Sequence, residues 1–311
     1  MSILTKIHSF GSYLPEKVLT NDDLSKMVDT SDEWIVRRTG ISSRHIAKGH
    51  ETTSYMGAKA LEAAMKRGGI LPSEIDCIIV ATTTQDKPLP STACEIGKIL
   101  GVNNAQAFDL QAACTGFVYA MSIANLMIKS GEAKTIAIIG SERMSSVVNW
   151  TDRATCVLFG DGAGAMILRA SSDCGIIDCK LSASSDLHDI LITNIDRHIE
   201  MDGKSVFKYA TEEMSRNLVA MLEKNNLKAS DLSSVIAHQA NYRILSHVAE
   251  KLGVSEEIFP MTMKIHGNTS AASIPLAFDY WFSCGKVKSG DIIAFQGVGA
   301  GMTIGTALVR F

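Results

Sequence analysis

Apolar and polar positions along the chain form two sets of alternating helix and strand signals, the second repeating the first. Met56, Ala60, Ala64 and Met65 recur at helical spacing and predict an amphipathic helix; Met214, Leu218, Met221 and Leu222 predict its counterpart. Apolar runs that read as buried strands follow each helix, at 75–83 and 233–237. A strand-like run over 105–110 gives way to a helix pattern through Phe117, Met121, Ala124 and Met127 to Lys129. A second such helix is expected over 269–282, and strands return at 135–139 and 292–295.

The two sets share an offset. Ser73-Glu74-Ile75-Asp76-Cys77-Ile78-Ile79-Val80 matches Ser230-Asp231-Leu232-Ser233-Ser234-Val235-Ile236-Ala237, 157 residues later. Lys129-Ser130-Gly131 returns as Lys288-Ser289-Gly290 after 159 residues, and Cys114 aligns near Asn268 at 154. Each half ends in a glycine-rich turn and an apolar strand, at 160–168 and 297–309. The pattern implies a duplicated α/β architecture with pseudo-twofold symmetry, divided into halves 1–170 and 171–311.

Composition narrows the function classes. A chain of 311 residues, 46% apolar, has enough material for a large core, and a net charge of −3 gives no bulk attraction to nucleic acid. The N-terminal stretch Met1-Ser2-Ile3-Leu4-Thr5-Lys6-Ile7-His8 lacks a leader's apolar core, and no apolar run reaches membrane-spanning length. Seven cysteines without framework spacing suit a reduced, cytoplasmic protein. Cys174 and Cys179 have no second pair to complete a metal site, so no metal is expected. Gly160-Asp161-Gly162-Ala163-Gly164 opens a strand rather than a helix, which excludes a dinucleotide loop.

Three strings carry candidate chemistry. Ala112-Ala113-Cys114-Thr115-Gly116-Phe117 puts a thiol where strand gives way to helix, a position whose dipole favours thiolate. His238-Gln239-Ala240-Asn241 and Gly267-Asn268-Thr269-Ser270-Ala271-Ala272-Ser273 each place a polar side chain at an expected element boundary. Singly, each has a plain structural reading: a small core cysteine, a satisfied histidine, a helix-capping asparagine. Together they can form an acyl-transfer site.

At these strings the chain resembles the β-ketoacyl-acyl-carrier-protein synthase III family. Gly11-Ser12-Tyr13-Leu14-Pro15, Asp29-Thr30-Ser31-Asp32-Glu33-Trp34-Ile35-Val36, Arg38-Thr39-Gly40-Ile41, Phe159-Gly160-Asp161-Gly162-Ala163-Gly164 and Ala307-Leu308-Val309-Arg310-Phe311 extend the likeness from end to end. The resemblance implies a thiolase-like fold, with helices between and around two mixed sheets. It also implies decarboxylative Claisen condensation of a short acyl-CoA primer with malonyl-acyl-carrier protein, through an acyl-Cys114 intermediate.

The family's residue roles carry over by position. His238 and Asn268 donate hydrogen bonds to the malonyl thioester carbonyl, while the backbone N–H groups of Cys114 and Ala300 form an oxyanion hole. Ala300 departs from the commoner all-glycine turn, and a positive φ there would disfavour alanine. Coenzyme A contacts fall to Trp34, Arg38, Arg153, Gly203 and Asn241, with adenine lying between Trp34 and Arg153. Ser205 stands where relatives often have glutamate.

Leu89 takes a position where relatives often place a phenylalanine against the partner subunit's acyl pocket. A homodimer with an altered primer preference is therefore expected. Lys208, Arg243 and Lys251 are the candidates for docking an acidic carrier protein, although Glu250 stands where relatives are often basic. No cofactor, nucleic acid or membrane partner is implied.

Four alternatives bear on the same strings. A secondary-metabolite ketosynthase would use another primer or acceptor. A 3-hydroxy-3-methylglutaryl-CoA synthase needs a glutamate near the cysteine, which 103–106 does not supply; Glu95 falls in another expected helix. A biosynthetic thiolase needs a second cysteine in 297–306, where there is none. A binding protein on this fold would have dispensed with Cys114, His238 or Asn268.

Overall fold

The computed structural model describes residues 3–194 and 198–311. Met1 and Ser2, at the head of the N-terminal stretch, lie outside the described residues. The chain begins with β1 (Leu4–Tyr13), β2 (Val18–Thr20), α1 (Asn21–Leu24), α2 (Asp32–Thr39), β3 (Ser43–His45) and α3 (Thr53–Gly68). It continues through β4 (Cys77–Ala81), α4 (Thr92–Leu100), β5 (Gln106–Leu110), α5 (Gly116–Ser130), β6 (Thr135–Arg143), α6 (Arg153–Cys156) and β7 (Asp161–Ser171). Then come β8 (Gly175–Ala183), β9 (Leu191–Thr193), β10 (Ile199–Met201), α7 (Gly203–Lys224) and β11 (Ser234–Ala237). Last are α8 (Tyr242–Leu252), α9 (Met263–His266), α10 (Ser273–Ser283), β12 (Ile292–Gly299) and β13 (Thr303–Arg310).

Two mixed sheets dominate, ordered β1-β7-β6-β4-β5 and β8-β13-β12-β11. The pairings β1–β7 and β7–β6 are antiparallel and β6–β4 is parallel; β8–β13, β13–β12 and β12–β11 repeat that sequence of directions. The central strands are buried on both faces, which explains their unbroken apolar runs. Ile136 and Ile138 of β6 face one core, while Ala137 and Ile139 face another.

The core lies in three slabs. Phe117, Met121 and Ala124 of α5, with Ile274 and Phe278 of α10, pack between the two sheets. Met56, Ala60 and Ala64 of α3 cover the outside of the first sheet. Met214, Leu218 and Met221 of α7 cover the outside of the second.

The internal symmetry is tighter than string matching suggests. A single turn of 3₁₀-helix, Ala113–Thr115, precedes α5, and another, Ser270–Ala272, precedes α10. Both open on a non-glycine residue in the left-handed region, Ala113 at φ 47° and Ser270 at φ 48°. The offset is again 157, so the counterpart of Cys114 is Ala271. Asn268, aligned near Cys114 from the sequence, instead answers Gln111. The alignment followed polar character at a boundary, whereas backbone shape sets the equivalence.

Glycine explains how the turns meet. Gly140 of β6 faces the second turn, where a Cβ would run into the Ala271 carbonyl and sit 3.1 Å from Ala272 Cα. Gly297 of β12, 157 residues on, faces the first turn, where a Cβ would lie 2.9 Å from Thr115 Cα. Each half thus seats the other's turn on a strand position that tolerates no side chain. Gly297, Val298 and Gly299 are therefore strand, and only 300–302 turns, in place of the glycine-rich turn expected from 297. Likewise Gly164 lies within β7, where it makes room for Pro275 of α10.

Gly140→Ala is expected to cost upwards of about 3 kcal/mol or to abolish soluble expression, because the clash is with backbone. Gly49→Ala, with nothing within 4 Å of its Cβ, should change stability by less than about 0.5 kcal/mol. Urea unfolding of the two variants checks both expectations.

Candidate active site

The two turns open onto a cavity of about 1260 Å³ whose lining includes Cys114, His238, Asn268 and Ala300. Cys114 is 7% exposed, His238 3% and Asn268 6%. The three residues, remote in sequence, therefore line one cavity and are each nearly shielded from water.

Asn268 is fixed at both ends. Its backbone N–H donates to the Leu158 carbonyl at 2.8 Å and its carbonyl accepts from Gly160 N–H at 3.0 Å, forming a bridge to Phe159. Its side-chain Oδ1 accepts from Ser270 N–H at 2.9 Å, which leaves the Nδ2 hydrogens as donors for the cavity.

His238 extends β11, its N–H donating to the Gln296 carbonyl at 2.8 Å. Nδ1 lies 2.7 Å from Ser273 Oγ, which is also 2.7 Å from the Ser270 carbonyl and 3.3 Å from Gln239 N–H. The single Ser273 proton therefore has two takers. Given to Nδ1, it leaves the imidazole's own hydrogen on Nε2, which then donates; given to the carbonyl, it makes Nε2 an acceptor.

Burial controls the protonation states. It depresses the His238 pKa to about 4, so the imidazole is neutral near pH 7. It pushes the Cys114 thiol up to about 12, aided by the nearby Glu142 charge and opposed by the bond to Ser270. The thiolate expected from the helix dipole is thus not the resting form. Cys114 sits in the 3₁₀ turn ahead of α5, and burial is the largest influence on its thiol there.

A carboxylate stands behind the thiol. Cys114 Sγ lies 3.5 Å from Ser270 Oγ, which donates to Glu142 Oε1 at 2.9 Å. Glu142, not Glu95 or 103–106, is the acidic neighbour of the thiol, and its sequence signal is only a polar residue near the end of an apolar strand. Ser270 and Ser273 lay inside a string already singled out, without a role.

The backbone around Ala300 is close-packed. A Cβ on Gly299 would fall 2.8 Å from Cys114 N, which brings the end of β12 against the Cys114 N–H. Ala300 is not in the left-handed region; Gly301 takes that conformation at φ 127°. Alanine is therefore compatible with this turn.

The expected coenzyme A residues divide by position. Arg38, Gly203 and Asn241 line the cavity. Arg153 lies over the Trp34 ring at 5.0 Å and Arg38 at 5.7 Å, with Arg153 also donating to the Asp29 carbonyl. An adenine between Trp34 and Arg153 thus requires that guanidinium to swing out. Asn241 caps α8 through Arg243 N–H and donates to the Arg38 carbonyl. A Cβ on Gly203 would find Met201 Cε no nearer than 3.7 Å, so nothing in the chain itself demands glycine there.

Of the docking candidates, Arg243 reaches the cavity wall with its guanidinium 5.3 Å above the Phe207 ring. Lys208 is exposed on α7, and Lys251 lies beside a separate groove with Glu212, Arg216 and Glu223. Lys204, which had no assigned role, lines the cavity. Leu89 is 83% exposed, in the loop before α4. Among the described residues, no group of three His, Cys, Asp or Glu side chains is placed to hold a metal ion.

The description 3-oxoacyl-[acyl-carrier-protein] synthase III fits residues 108–185, and its C-terminal counterpart fits residues 222–311. A β-ketoacyl-[acyl-carrier-protein] synthase III of Rickettsia bellii is 48% identical, covering 98% of this chain and 99% of that protein. The crystal structure of 3-oxoacyl-[acyl-carrier-protein] synthase III from Aquifex aeolicus superposes with a TM-score of 0.97 at 46% identity, covering 99% of this chain and all of that one. The priming β-ketosynthase of the R1128 polyketide pathway superposes at 0.95 with 34% identity, covering 98% of this chain and 96% of that one.

Acidification tests the buried imidazole. His238 has a folded pKa of about 4 against 6.5 unfolded, so below 6.5 the unfolded chain binds the proton first and stability falls with pH. At about pH 5 this loss amounts to about 2 kcal/mol. Wild type should therefore lose about 2 kcal/mol more than His238→Asn between about pH 7.5 and pH 5, as read by urea unfolding. Equal losses would show that the imidazole is not held neutral.

Proposed function

The chain belongs to the β-ketoacyl-acyl-carrier-protein synthase III family, and on that premise we propose residue roles for its reaction. The enzyme is an acyltransferase of the thiolase-like fold that initiates type II fatty-acid synthesis. It condenses a short acyl-CoA primer with malonyl-acyl-carrier protein, releasing carbon dioxide. The observation that carries the residue assignment is the convergence of Cys114, His238 and Asn268 on one cavity.

Cys114 is the nucleophile and holds the primer as a thioester, a link that forms and breaks readily because sulfur is both a good nucleophile and a good leaving group. The N–H groups of Cys114 and Ala300 hold the acyl oxygen during each tetrahedral step. Asn268 Nδ2 and His238 Nε2 donate to the malonyl thioester carbonyl as carbon dioxide departs and negative charge gathers there. For Nε2 to donate, Ser273 must turn its one hydrogen from the Ser270 carbonyl to Nδ1. A neutral dry site strengthens both donors, and neither titrates near neutral pH.

Trp34, Arg38, Arg153, Gly203 and Asn241 bind coenzyme A. Arg243 and Lys208 receive the carrier protein, with Lys204 added by its place on the cavity wall. Lys251, beside a different groove, would act at the edge of that surface. The enzyme works as a cytoplasmic homodimer without a bound cofactor, its two thiolase-like halves meeting near 170. Among the described residues no helix is long and apolar enough to cross a membrane.

A second reading, a ketosynthase that primes a secondary-metabolite pathway, draws support from the R1128 likeness and from Leu89. Intact mass after incubation with acetyl-, isobutyryl- or hexanoyl-CoA tests both. One acyl adduct is expected, absent from Cys114→Ala, with Leu89→Phe shifting preference towards the smallest primer. No adduct in folded protein would overturn the assignment of the nucleophile, and an unchanged primer ranking in Leu89→Phe would remove that residue from the pocket.

His238→Ala and Asn268→Ala should still acquire the acyl group but release carbon dioxide from malonyl-acyl-carrier protein about 10²–10³-fold more slowly. Loss of acylation in step with decarboxylation would refute their assignment to the second half-reaction.

A further inference from the structure

Glu142 is wholly buried at the end of β6 and has no part in the roles assigned above. Its carboxylate collects five donors. Oε2 accepts from Thr83 N–H at 3.1 Å, Thr84 Oγ1 at 2.6 Å and Thr82 Oγ1 at 3.2 Å. Thr83 Oγ1 reaches both oxygens, and Ser270 Oγ donates to Oε1 at 2.9 Å. Thr82 Oγ1 already accepts from Thr84 N–H, and Thr84 Oγ1 from Arg143 N–H, so both hydroxyls turn their hydrogens to the carboxylate.

This donor set suits an anion, yet no cation bonds to Glu142 among the described residues. Arg143, next along β6, meets the cluster only through its backbone N–H, and Asp86 is engaged at the N-terminus of α3. Burial pushes the Glu142 carboxyl above the ordinary carboxylate range, with the hydroxyl and N–H donors pulling the other way. The five donors favour the anion while burial favours taking up a proton, and among the described residues Ser270 links the carboxylate to Cys114 Sγ.

We propose that Ser270 relays the Cys114 proton to Glu142, which carries it for the lifetime of the acyl-enzyme. The inference rests on Cys114 being the acylated residue. As Sγ attacks the primer thioester and the new S–C bond forms, the S–H proton passes to Ser270 Oγ and the Ser270 hydroxyl proton passes to Glu142 Oε1. The C–S bond to coenzyme A breaks, its electron pair leaves on the coenzyme A sulfur, and that thiolate takes a proton from solvent.

In the second half-reaction the enolate forms the carbon–carbon bond and the Cys114–acyl bond breaks, with its electron pair returning to Sγ. The proton then travels back from Glu142 through Ser270. One solvent proton is consumed over the cycle, by coenzyme A. While the acyl group is in place Glu142 is neutral, so the malonyl carboxylate enters a site relieved of its buried negative charge.

Proton counting and infrared spectra together decide the matter on wild-type enzyme. Acetyl-CoA or isobutyryl-CoA, whichever gives the mass adduct, is added in weakly buffered solution with a pH indicator at neutral pH. Uptake of about one proton per acyl group is expected, because direct transfer of the thiol proton to coenzyme A would take up none. Infrared difference spectra should show a protonated carboxyl appearing on acylation in wild type and missing in Glu142→Gln.

Ser270→Ala should acylate about 10²–10⁴-fold more slowly. Acylation of Cys114 without proton uptake or a carboxyl band would overturn the relay while leaving the nucleophile intact. Absence of any adduct would instead overturn the functional reading on which the relay depends.

Discussion

The site depends on one steric constraint, the absence of side chains at Gly140 and Gly297. Each glycine sits in a central strand of its own sheet and receives the 3₁₀ turn of the other half. Had either carried a Cβ, the turns would be held apart, and Cys114 and Asn268 with them. Chain entropy cannot bring residues 154 apart in sequence onto one wall; backbone packed on backbone does so with little freedom to relax. The two strained residues, Ala113 and Ser270, sit at the start of these turns, held in the left-handed region by the packing around them.

Close packing also sets the electrostatics. With the turns seated, the wall that bears Cys114, His238 and Asn268 is almost wholly shielded from water. Desolvation then favours neutral forms, as in the depressed imidazole and the elevated thiol. A protonated thiol is a poor nucleophile at neutral pH, so a site built this way needs somewhere for the proton to go. Imidazole depressed to about 4 is a weak base, whereas the Glu142 carboxylate is bonded towards the sulfur through Ser270.

Much of this was legible in the sequence. Apolar periodicity located the α3, α5, α7 and α10 helices and the buried strands, and the 157-residue repeat announced the duplication. The three strings around Cys114, His238 and Asn268 named residues that do share a cavity. What escaped were features without a one-dimensional signature. Gly297 and Gly299 are strand through pairing with Gly305 and Thr303, but their lack of a side chain is required by Thr115 and Cys114 more than 180 residues away, and the equivalence of Cys114 to Ala271 is a matter of backbone shape. The state of the thiol depends on a burial that no local string encodes. Glu142 looks in sequence like the polar end of a strand, and only the fold shows that Thr82, Thr83, Thr84 and Ser270 converge on it.

The same offset of 157 shows how the duplicated scaffold came to hold chemistry. Gln111 answers Asn268, Ala113 answers Ser270, Cys114 answers Ala271, Ala81 answers His238, and Glu142 answers Gly299. In four of these five pairs a reactive or polar residue faces a symmetry mate that is alanine or glycine. That division is required by space. Gly299 must be bare because Cys114 N lies where its side chain would be, whereas the matching position beside Ser270 has room for a glutamate. The first half thus supplies the thiol and the carboxylate, and the second supplies the hydroxyl, the imidazole and the amide that line the same site. A symmetric scaffold could have built the cavity, but only the asymmetric filling of its equivalent positions puts a bare Gly299 against Cys114 N and a carboxylate behind Ser270.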